Sequence, residues 1–350
     1  MGVIRILFVA DTHLGFDQPA RPRVQRRRRG DDFMANYMRV LGYARKEGVD
    51  ALVHGGDLFF RSRIPAGLVD RAFAPLKEIA DLGIKVYVVP GNHERSKIPF
   101  RILTLHPNIH MFDHPRTFVL EARGKSIALS GFPYWRENVR NRFPEILDDT
   151  GWRKFEKVCD GRLLCVHHCF EGATVGPSEY VFRSNGDVIR LKDIPEEFTA
   201  VFSGHIHRFQ VLEQDLRGQP IPVPVFYPGS IERTSFAEMN EKKGFLMMEF
   251  GLGPKGRFGI KNWEFIELPT RPMVNVTVPS GYTTRQAIMG FLKESFKKLD
   301  PQSVARLIVD GDLSEDCLSV LRTASIRALC PESMNLCLRF KTRKSRYLST

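Results

Sequence analysis

The sequence predicts an α/β protein in which two mixed β-sheets, flanked by helices, form a sandwich, followed by a small α+β domain. Three observations carry this prediction. Strand-like apolar runs alternate with helical patterns over residues 4–89, short strands separated by turns dominate from about residue 117, and the alternation returns after residue 270. The first pattern is typical of parallel strands with crossover helices, and the second indicates another sheet packed on the first. We therefore predict two domains, at residues 1–269 and 270–350.

The first region begins with a strand over residues 4–9. A helix is predicted from a cap at Asp31 or Asp32 to about Glu47, because apolar residues recur at helical spacing and Gly48 follows as a stop. The elements predicted after it are a strand at 49–53, a helix near 67–82 and a strand at 84–89.

The second and third regions differ in rhythm. Strands with turns are predicted at TFVLEA, KSIALSGF, QVLEQ, VPVFYPG, GFLMMEF and NWEFIEL, and the segment 171–195 is predicted to be a surface excursion. After residue 270, strands at MVNVTV, ARLIVDG and MNLCLRF alternate with helices near 284–299 and 314–329. This β-α-β-α-β pattern predicts a small separate domain.

Composition limits the class of protein. A chain of 350 residues that is 43% hydrophobic can bury a sizeable core. No apolar run reaches the roughly 20 residues that a bilayer-spanning helix needs, and the N-terminus shows no cleavable signal pattern. Six cysteines without a CxxC pair fit a reducing compartment, so a cytoplasmic location is expected.

The net charge of +12 is unevenly distributed. Residues 17–30 hold six arginines against one aspartate, and residues 270–350 carry a net charge of +6. A basic surface attracts polyanions. Taken alone, such a run is more often a solvated loop. However, this loop begins two residues after His13, whose imidazole follows the predicted strand 4–9 and can bind a metal ion, so the loop leaves from the rim of a candidate site. We therefore favour contacts with a polyanion for its last four arginines, which are Arg26, Arg27, Arg28 and Arg29.

Five short motifs, each directly after an apolar strand, carry the candidate site. They read ADTHLG, HGGDLF, PGNHE, CVHH and SGHIH. A buried strand that ends at a polar turn delivers its side chains to the sheet edge, so five such ends predict one shared site. The residues concerned are Asp11, His13, Asp57, Asn92, His93, His167, His205 and His207.

Carboxylate, amide and imidazole ligands in this mixture suit Mn, Fe or Zn better than Ca or a thiolate-bound metal. Two divalent ions in one site can hold both oxygens of an in-line phosphoryl displacement. If Asn92 points at the metal, the neighbouring His93 points elsewhere, so it can orient a phosphate oxygen or protonate the leaving group. Each motif alone is usually incidental, whereas all five in order point to a metal centre.

In these motifs the chain resembles the calcineurin-like metallophosphoesterases, with the ordered signature D-x-H, G-D, G-N-H-E, H and G-H-x-H over roughly residues 4–232. The resemblance implies two metals bridged by Asp57, and His93 as the phosphate-facing histidine. It assigns Asp11, His13, Asp57 and His207 to one metal, and Asp57, Asn92, His167 and His205 to the other.

Within that superfamily the chain is most similar to SbcD-type DNA repair exonucleases. The opening DTHLG, the segment YPGSIERTSFAE and the small domain after TRPM carry this similarity. It implies two divalent ions, Mn²⁺ first with Fe or Zn as alternatives, and a DNA-capping role for residues 270–350. It also implies DNA partners (double-stranded ends, hairpins or single strands), an SbcC-type coiled-coil ATPase and a homodimer. One departure is Phe60, which stands where family members often place a polar side chain.

Three functional hypotheses follow. The leading one is a two-metal-dependent DNA exonuclease or endonuclease that acts on DNA ends in repair and recombination. The second keeps the chemistry but takes small phosphodiesters, nucleotides or phosphoproteins as substrates. The third is a non-catalytic end-binding or scaffolding subunit. His168, next to His167, either faces the substrate or packs.

Overall fold

The computed structural model describes residues 2–17, 28–94, 99–253, 256–311, 313–321 and 323–341. By compactness the chain divides into two units, one made of Met1–Phe16 and Asp32–Pro269, the other of Asp17–Asp31 and Thr270–Thr350. In the described ranges no helix is both long enough and apolar enough to cross a bilayer.

The first sheet of the larger unit is mixed, in the order β16-β15-β1-β2-β3-β4. Strands β1 to β4 run parallel, whereas β15 and β16 pair antiparallel. The strands are β1 (Ile4–Val9), β2 (Ala51–His54), β3 (Lys85–Val88), β4 (Ile109–Met111), β15 (Gly244–Leu252) and β16 (Phe258–Glu267). The helices between the parallel strands are α1 (Arg29–Glu47), α2 (Ala66–Asp81) and α3 (Arg101–Thr104).

The second sheet is also mixed, in the order β13-β14-β12-β7-β6-β5. Its strands are β5 (Arg116–Ala122), β6 (Lys125–Gly131), β7 (Gly161–Val166), β12 (Ala200–Ser203), β13 (Gln210–Gln214) and β14 (Pro220–Tyr227). Helix α4 (Val139–Asp149) follows β6, and the short strands β8 (Cys169–Phe170), β9 (Thr174–Val175), β10 (Tyr180–Val181) and β11 (Val188–Ile189) lie between β7 and β12.

Three buried apolar clusters hold the larger unit together. The middle cluster joins the facing surfaces of the two sheets, where the rings of Phe8 and Phe202 stack with centroids 4.4 Å apart. A second cluster packs α1 and α2 on the first sheet, and a third packs α4 on the second. Strand β1 is buried on both faces because Ile6 and Phe8 point to the middle cluster while Leu7 and Val9 point to the helices.

The smaller unit has a three-stranded sheet in the order β17-β18-β19 with all strands parallel. Its elements are β17 (Met273–Val278), α5 (Arg285–Lys297), β18 (Val304–Asp310), α6 (Glu315–Val320), α7 (Thr323–Arg327) and β19 (Asn335–Lys341). They enclose their own apolar cluster, which includes Ile288, Leu307 and Val320. Parallel strands joined by helices make this unit α/β in type rather than the α+β that we predicted.

The predicted elements are largely present, with three corrections. Helix α1 begins at Arg29, so Asp31 and Asp32 lie inside the helix and do not cap it. The predicted helix at 314–329 is two short helices, α6 and α7. The segment 171–195 is only partly a surface excursion, because Val188 and Ile189 pair with β8 and are fully buried.

Candidate metal centre

The five predicted motifs converge where strands of both sheets end. The first sheet supplies the loops after β1, β2 and β3, and the second supplies the loops after β7 and β12. The loops after β1 and β2 run side by side, since the backbone N–H of Asp11 donates to Gly56 (2.9 Å) and that of His13 donates to Asp57 (3.0 Å). This pairing places the D-x-H and G-D motifs in contact.

Backbone conformation marks the same residues. Asp11, His13, Asp57 and His205 have φ values of 51°, 44°, 54° and 80°. Non-glycine residues rarely adopt this left-handed region, and they do so chiefly where surrounding structure fixes a functional geometry. Four of the seven candidate ligands therefore hold side-chain directions that an ordinary strand would not give.

One group of donor atoms joins Asp11, His13 and His207. The Nε2 atoms of the two histidines lie 2.9 Å apart, and each lies 3.9 Å from Oδ1 of Asp11. The three residues offer atoms that all lie within 4.8 Å of one another. Asp11 is further fixed by the backbone N–H of His205, which donates to both its carboxylate oxygens.

A second group joins Asp57, Asn92, His167 and His205. Oδ1 of Asn92 lies 3.0 Å from Nε2 of His167 and 2.9 Å from Nδ1 of His205. Oδ2 of Asp57 lies 3.4 Å from Nε2 of His167. Asp57 also belongs to donor sets that contain His13 or Asp11, so it lies between the two groups.

The hydrogen bonds of His167 test whether these atoms fit a cation. Its Nδ1 must donate to the carbonyl oxygen of Gly55, at 2.7 Å, so Nε2 carries the lone pair when the ring is neutral. That lone pair faces oxygens of Asp57 and Asn92, which are acceptors too. Three acceptors without a hydrogen between them need a cation or a proton, and the mixture fits a borderline-hard divalent ion.

The pKa shifts of His167 and Asp57 also favour a positive charge between these two residues. Burial disfavours the charged ring of His167, but the charge of Asp57 and its hydrogen bond outweigh this and raise the pKa of His167 to about 9. Burial would raise the pKa of Asp57, yet the neighbouring histidines hold it below its ordinary value. Burial raises the pKa of Asp11 to about 6. Nδ1 of His13 is buried and has no hydrogen-bond partner within the described chain. A positive charge is therefore favoured between Asp57 and His167, whereas burial and the neighbouring histidines lower the pKa of His205 to about 3 and keep its ring neutral.

His93 lies at the edge of the cluster, half-buried. Its Nδ1 donates to the carbonyl oxygen of Phe60 at 2.5 Å, and its ring stacks on the Phe60 ring with centroids 5.6 Å apart. Nε2 lies 3.8 Å from Oδ2 of Asp57. Phe60 therefore fixes the His93 ring, and Nε2 is the atom left for a reacting group.

Glycine is required where the loops touch. A Cβ on Gly91 would lie 2.2 Å from Oδ1 and 2.5 Å from the backbone N of Asp57. We expect Gly91→Ala to lower the free energy of unfolding by about 1–3 kcal/mol or more and to weaken metal binding, because Asp57 must move. Denaturant unfolding and metal titration measure both effects.

Gly67 in α2 is the matched control, since nothing lies within 4 Å of a Cβ built there. Gly67→Ala should leave metal binding intact and stabilise by up to about 1 kcal/mol. Equal behaviour of the two variants would contradict the close packing around Asp57.

Sequence reasoning missed several residues that support the cluster. Glu94 accepts hydrogen bonds from the backbone N–H groups of Gly91 (2.8 Å) and Phe59 (3.1 Å), which ties two motif loops together. Burial, with Asp57 nearby, raises the pKa of Glu94 to about 7. Glu238 accepts a hydrogen bond from Nδ1 of His207. Glu94 had a signal in its place in the G-N-H-E motif, and Glu238 ends the segment YPGSIERTSFAE, which carries the family resemblance but does not indicate a role for this residue.

His54 and Thr12 form another buried support. The backbone N–H of Gly56 donates to Nδ1 of His54, which leaves Nε2 to donate to the Thr12 hydroxyl at 3.0 Å. That hydroxyl donates in turn to the carbonyl oxygen of Leu58. The chain of hydrogen bonds fixes the residue between the two ligands of the D-x-H motif.

The remaining predicted substrate contacts are the four arginines Arg26 to Arg29 and His168. Arg26 and Arg27 lie outside the described residues. Arg28 pairs with Asp17, and Arg29 is 2% exposed rather than solvated. His168 is fully buried, accepts a hydrogen bond from the backbone N–H of Trp135 and stacks on Tyr134, which are the contacts of a packed side chain.

Residues 4–209 match the family model of the calcineurin-like phosphoesterases. The chain therefore belongs to this family, and it is a metal-dependent hydrolase with divalent metal ions as cofactors. The predicted fold class of the larger unit, two mixed sheets flanked by helices, is confirmed by this match and by the observed sheets.

Three curated relatives share the name DNA double-strand break repair protein Mre11. The protein of Methanopyrus kandleri is 24% identical over 79% of this chain and 60% of its own length. That of Archaeoglobus fulgidus is 24% identical over 93% and 72%, and that of Halobacterium salinarum is 29% identical over 88% and 71%. The chain thus spans between 60% and 72% of these relatives, and the predicted SbcD-type resemblance is confirmed.

Proposed function

We propose that this protein is a two-metal-dependent nuclease that hydrolyses phosphodiester bonds at DNA ends during double-strand-break repair. The observation that carries the proposal is the convergence of seven oxygen and nitrogen donors from both sheets on two adjacent groups. The similarity to proteins named for DNA double-strand break repair supports the choice of substrate.

The proposed ligand assignment follows the two groups of donor atoms. Asp11, His13, Asp57 and His207 hold one ion, and Asp57, Asn92, His167 and His205 hold the other. Mn²⁺ is the proposed ion, with Fe and Zn as alternatives, since all three accept mixed imidazole and carboxylate ligands.

The bound ions and His93 have separate roles in the proposed reaction. Bound divalent ions supply Lewis acidity for an in-line displacement at phosphorus. His93, whose ring orientation is fixed by Phe60, presents Nε2 to the departing or a non-bridging oxygen. A positioned acid of this kind contributes roughly 10²–10⁴-fold to a rate.

A basic cleft beside His93 supports a nucleic-acid substrate. It has a volume of about 540 Å³ and is lined by Arg61, Ser62, Arg63, Asn92 and His93. Both arginines are exposed, and within the described ranges neither pairs with a carboxylate. Arg61 lies over the Phe60 ring at 5.6 Å. We assign Arg61 and Arg63 to the phosphates that flank the cleaved bond, because unpaired cations supply most non-specific DNA affinity.

Replacing both arginines by glutamine should weaken binding of duplex DNA ends about tenfold at moderate salt. Each lost phosphate contact should also lower the slope of log affinity against log salt by about 0.9. The measurement is a binding titration over several salt concentrations, with Ca²⁺ in place of the catalytic metal.

The matched control is Arg217→Gln with Lys261→Gln, which removes the same charge from exposed positions on the β13–β14 turn and on β16. An equal loss in both double variants would mean that only total charge matters, and would remove Arg61 and Arg63 from the proposal.

The remaining assignments are also proposals. Residues 270–350, with a net charge of +6, are proposed to cap DNA. Arg26, Arg27 and Arg28 are proposed to contact it as well, whereas the burial of Arg29 argues against such a contact. An SbcC-type ATPase and a second copy of the chain are proposed partners, because the sequence resembles the SbcD-type exonucleases. Six free cysteines support a cytoplasmic location.

The function is tested by incubating the protein with Mn²⁺ and end-labelled duplex or hairpin DNA, beside a chromogenic phosphodiester. Shortening of the labelled DNA is the expected result. Turnover of the small diester without any DNA cleavage would instead favour a small-molecule phosphodiesterase.

A further inference from the structure

The ring of His207 makes a hydrogen bond to a carboxylate through Nδ1, the nitrogen that does not face Asp11 and His13. Its Nδ1 lies 3.2 Å from Oε1 of Glu238. An ionised carboxylate only accepts, so Nδ1 must donate, and Nε2 is left with its lone pair. That Nε2 is the atom that faces His13 at 2.9 Å and belongs to the donor group with Asp11. The contact with Glu238 thus selects the ring form that a metal ion needs.

Glu238 is itself held on both oxygens. The Thr234 hydroxyl donates to Oε1 at 2.6 Å, and the Thr234 backbone N–H lies 3.3 Å from Oε2. The ammonium group of Lys243 lies 2.7 Å from Oε2. The Lys243 side chain is 0% exposed and that of Glu238 is 10% exposed, so this is a buried ion pair whose geometry is over-determined.

Lys243 also reaches the backbone of the same histidine. Its Nζ donates to the carbonyl oxygen of His207 at 2.8 Å and to Glu241 at 3.0 Å. Glu238 therefore hydrogen-bonds to the ring of His207, while Lys243 pairs with Glu238 and donates to the His207 backbone carbonyl. Together they fix the position and the rotation of this imidazole.

His207 differs in this respect from two other histidines of the cluster. His167 donates Nδ1 to a neutral carbonyl group, and Nδ1 of His13 has no partner among the described residues. In the described part of the cluster, only His207 donates its second nitrogen to a side-chain carboxylate. Such carboxylate–histidine contacts orient a metal ligand and raise its basicity.

We infer that Glu238 is a positioning residue of the metal centre. It sets the tautomer of His207 and strengthens the binding of the ion held by Asp11, His13 and His207. The inference rests on the proposed assignment of His207 as a ligand. It also gives a physical reason for the segment after β14, since YPGSIERTSFAE ends at Glu238.

The test is a calorimetric titration of the metal-free full chain with Mn²⁺. We expect Glu238→Ala to weaken one of the two binding steps roughly 10–100-fold and to leave the other unchanged. Glu238→Gln should lose less, because its carbonyl oxygen still accepts from Nδ1. Glu213→Gln, at an exposed position of β13, is the control and should bind as the original chain does.

Two further measurements separate the possible failures. If Glu238 only stabilises the fold, both variants lower the melting temperature of the metal-free protein without changing Mn²⁺ affinity, and the inference is overturned. Should Glu238→Ala fail to fold, the Glu238→Gln titration decides alone. His207→Ala should lose one ion entirely. If it keeps both, the ligand assignment itself is wrong; if it loses one while the Glu238 variants bind normally, only the inference fails.

Discussion

Asp57→Asn should lower the rate of DNA cleavage about a thousandfold or more. Oδ1 of Asp57 accepts the backbone N–H of His93 at 2.9 Å, and Oδ2 lies 3.4 Å from Nε2 of His167. Asparagine keeps the shape but replaces one oxygen with an amide nitrogen and removes the charge between the two donor groups. Loss of several kcal/mol of charge stabilisation corresponds to such a factor.

The measurements are the initial rate on end-labelled duplex DNA with Mn²⁺ and the metal content of the purified protein. Metal content should fall together with the rate, whereas Glu213→Gln should change neither. A variant that still holds two ions and keeps a tenth of the activity would show that Asp57 does not join the two groups.

His93→Ala should separate the two effects that Asp57→Asn combines. Cleavage should fall roughly 10²–10⁴-fold while the metal content stays the same. The ring of His93 is oriented by Phe60, and its Nε2 lies 3.8 Å from Asp57, outside the two groups assigned to the ions. Removing it takes away the group proposed to face the substrate but leaves the proposed ligands in place.

The comparison uses the same DNA assay and the same metal analysis as for Asp57. The backbone N–H of His93, which donates to Asp57, is retained in the alanine variant, so the Asp57 carboxylate keeps that contact. A variant that loses its metal would instead make His93 a ligand, as its presence in a donor set with His13 and Asp57 allows.

Much of this site follows from sequence because its residues stand directly after strands. Asp11, Asp57 and Asn92 lie in the loops that follow β1, β2 and β3, and a strand end gives a side chain a predictable place. The positions of β1, β13 and β17 were likewise predicted at their observed bounds. Hydrophobic patterning therefore determines which residues meet.

The supporting contacts could not be predicted in the same way. Glu238 lies 31 positions from His207 and follows a turn rather than a strand. The pairing of Glu94 with Phe59 depends on how two loops cross. The start of α1 was missed because Asp31 and Asp32 resemble caps, although the helix already begins at Arg29. Such features depend on tertiary geometry, which no local pattern encodes.

Each donor group takes members from both sheets: His207 joins Asp11 and His13, and His167 joins Asp57. A slide of one sheet past the other by about 1 Å would misplace the members of both groups relative to one another. Phe8 and Phe202, one from each sheet, stack within the close-packed middle cluster, so the core that holds the two sheets together also keeps the two donor groups assembled.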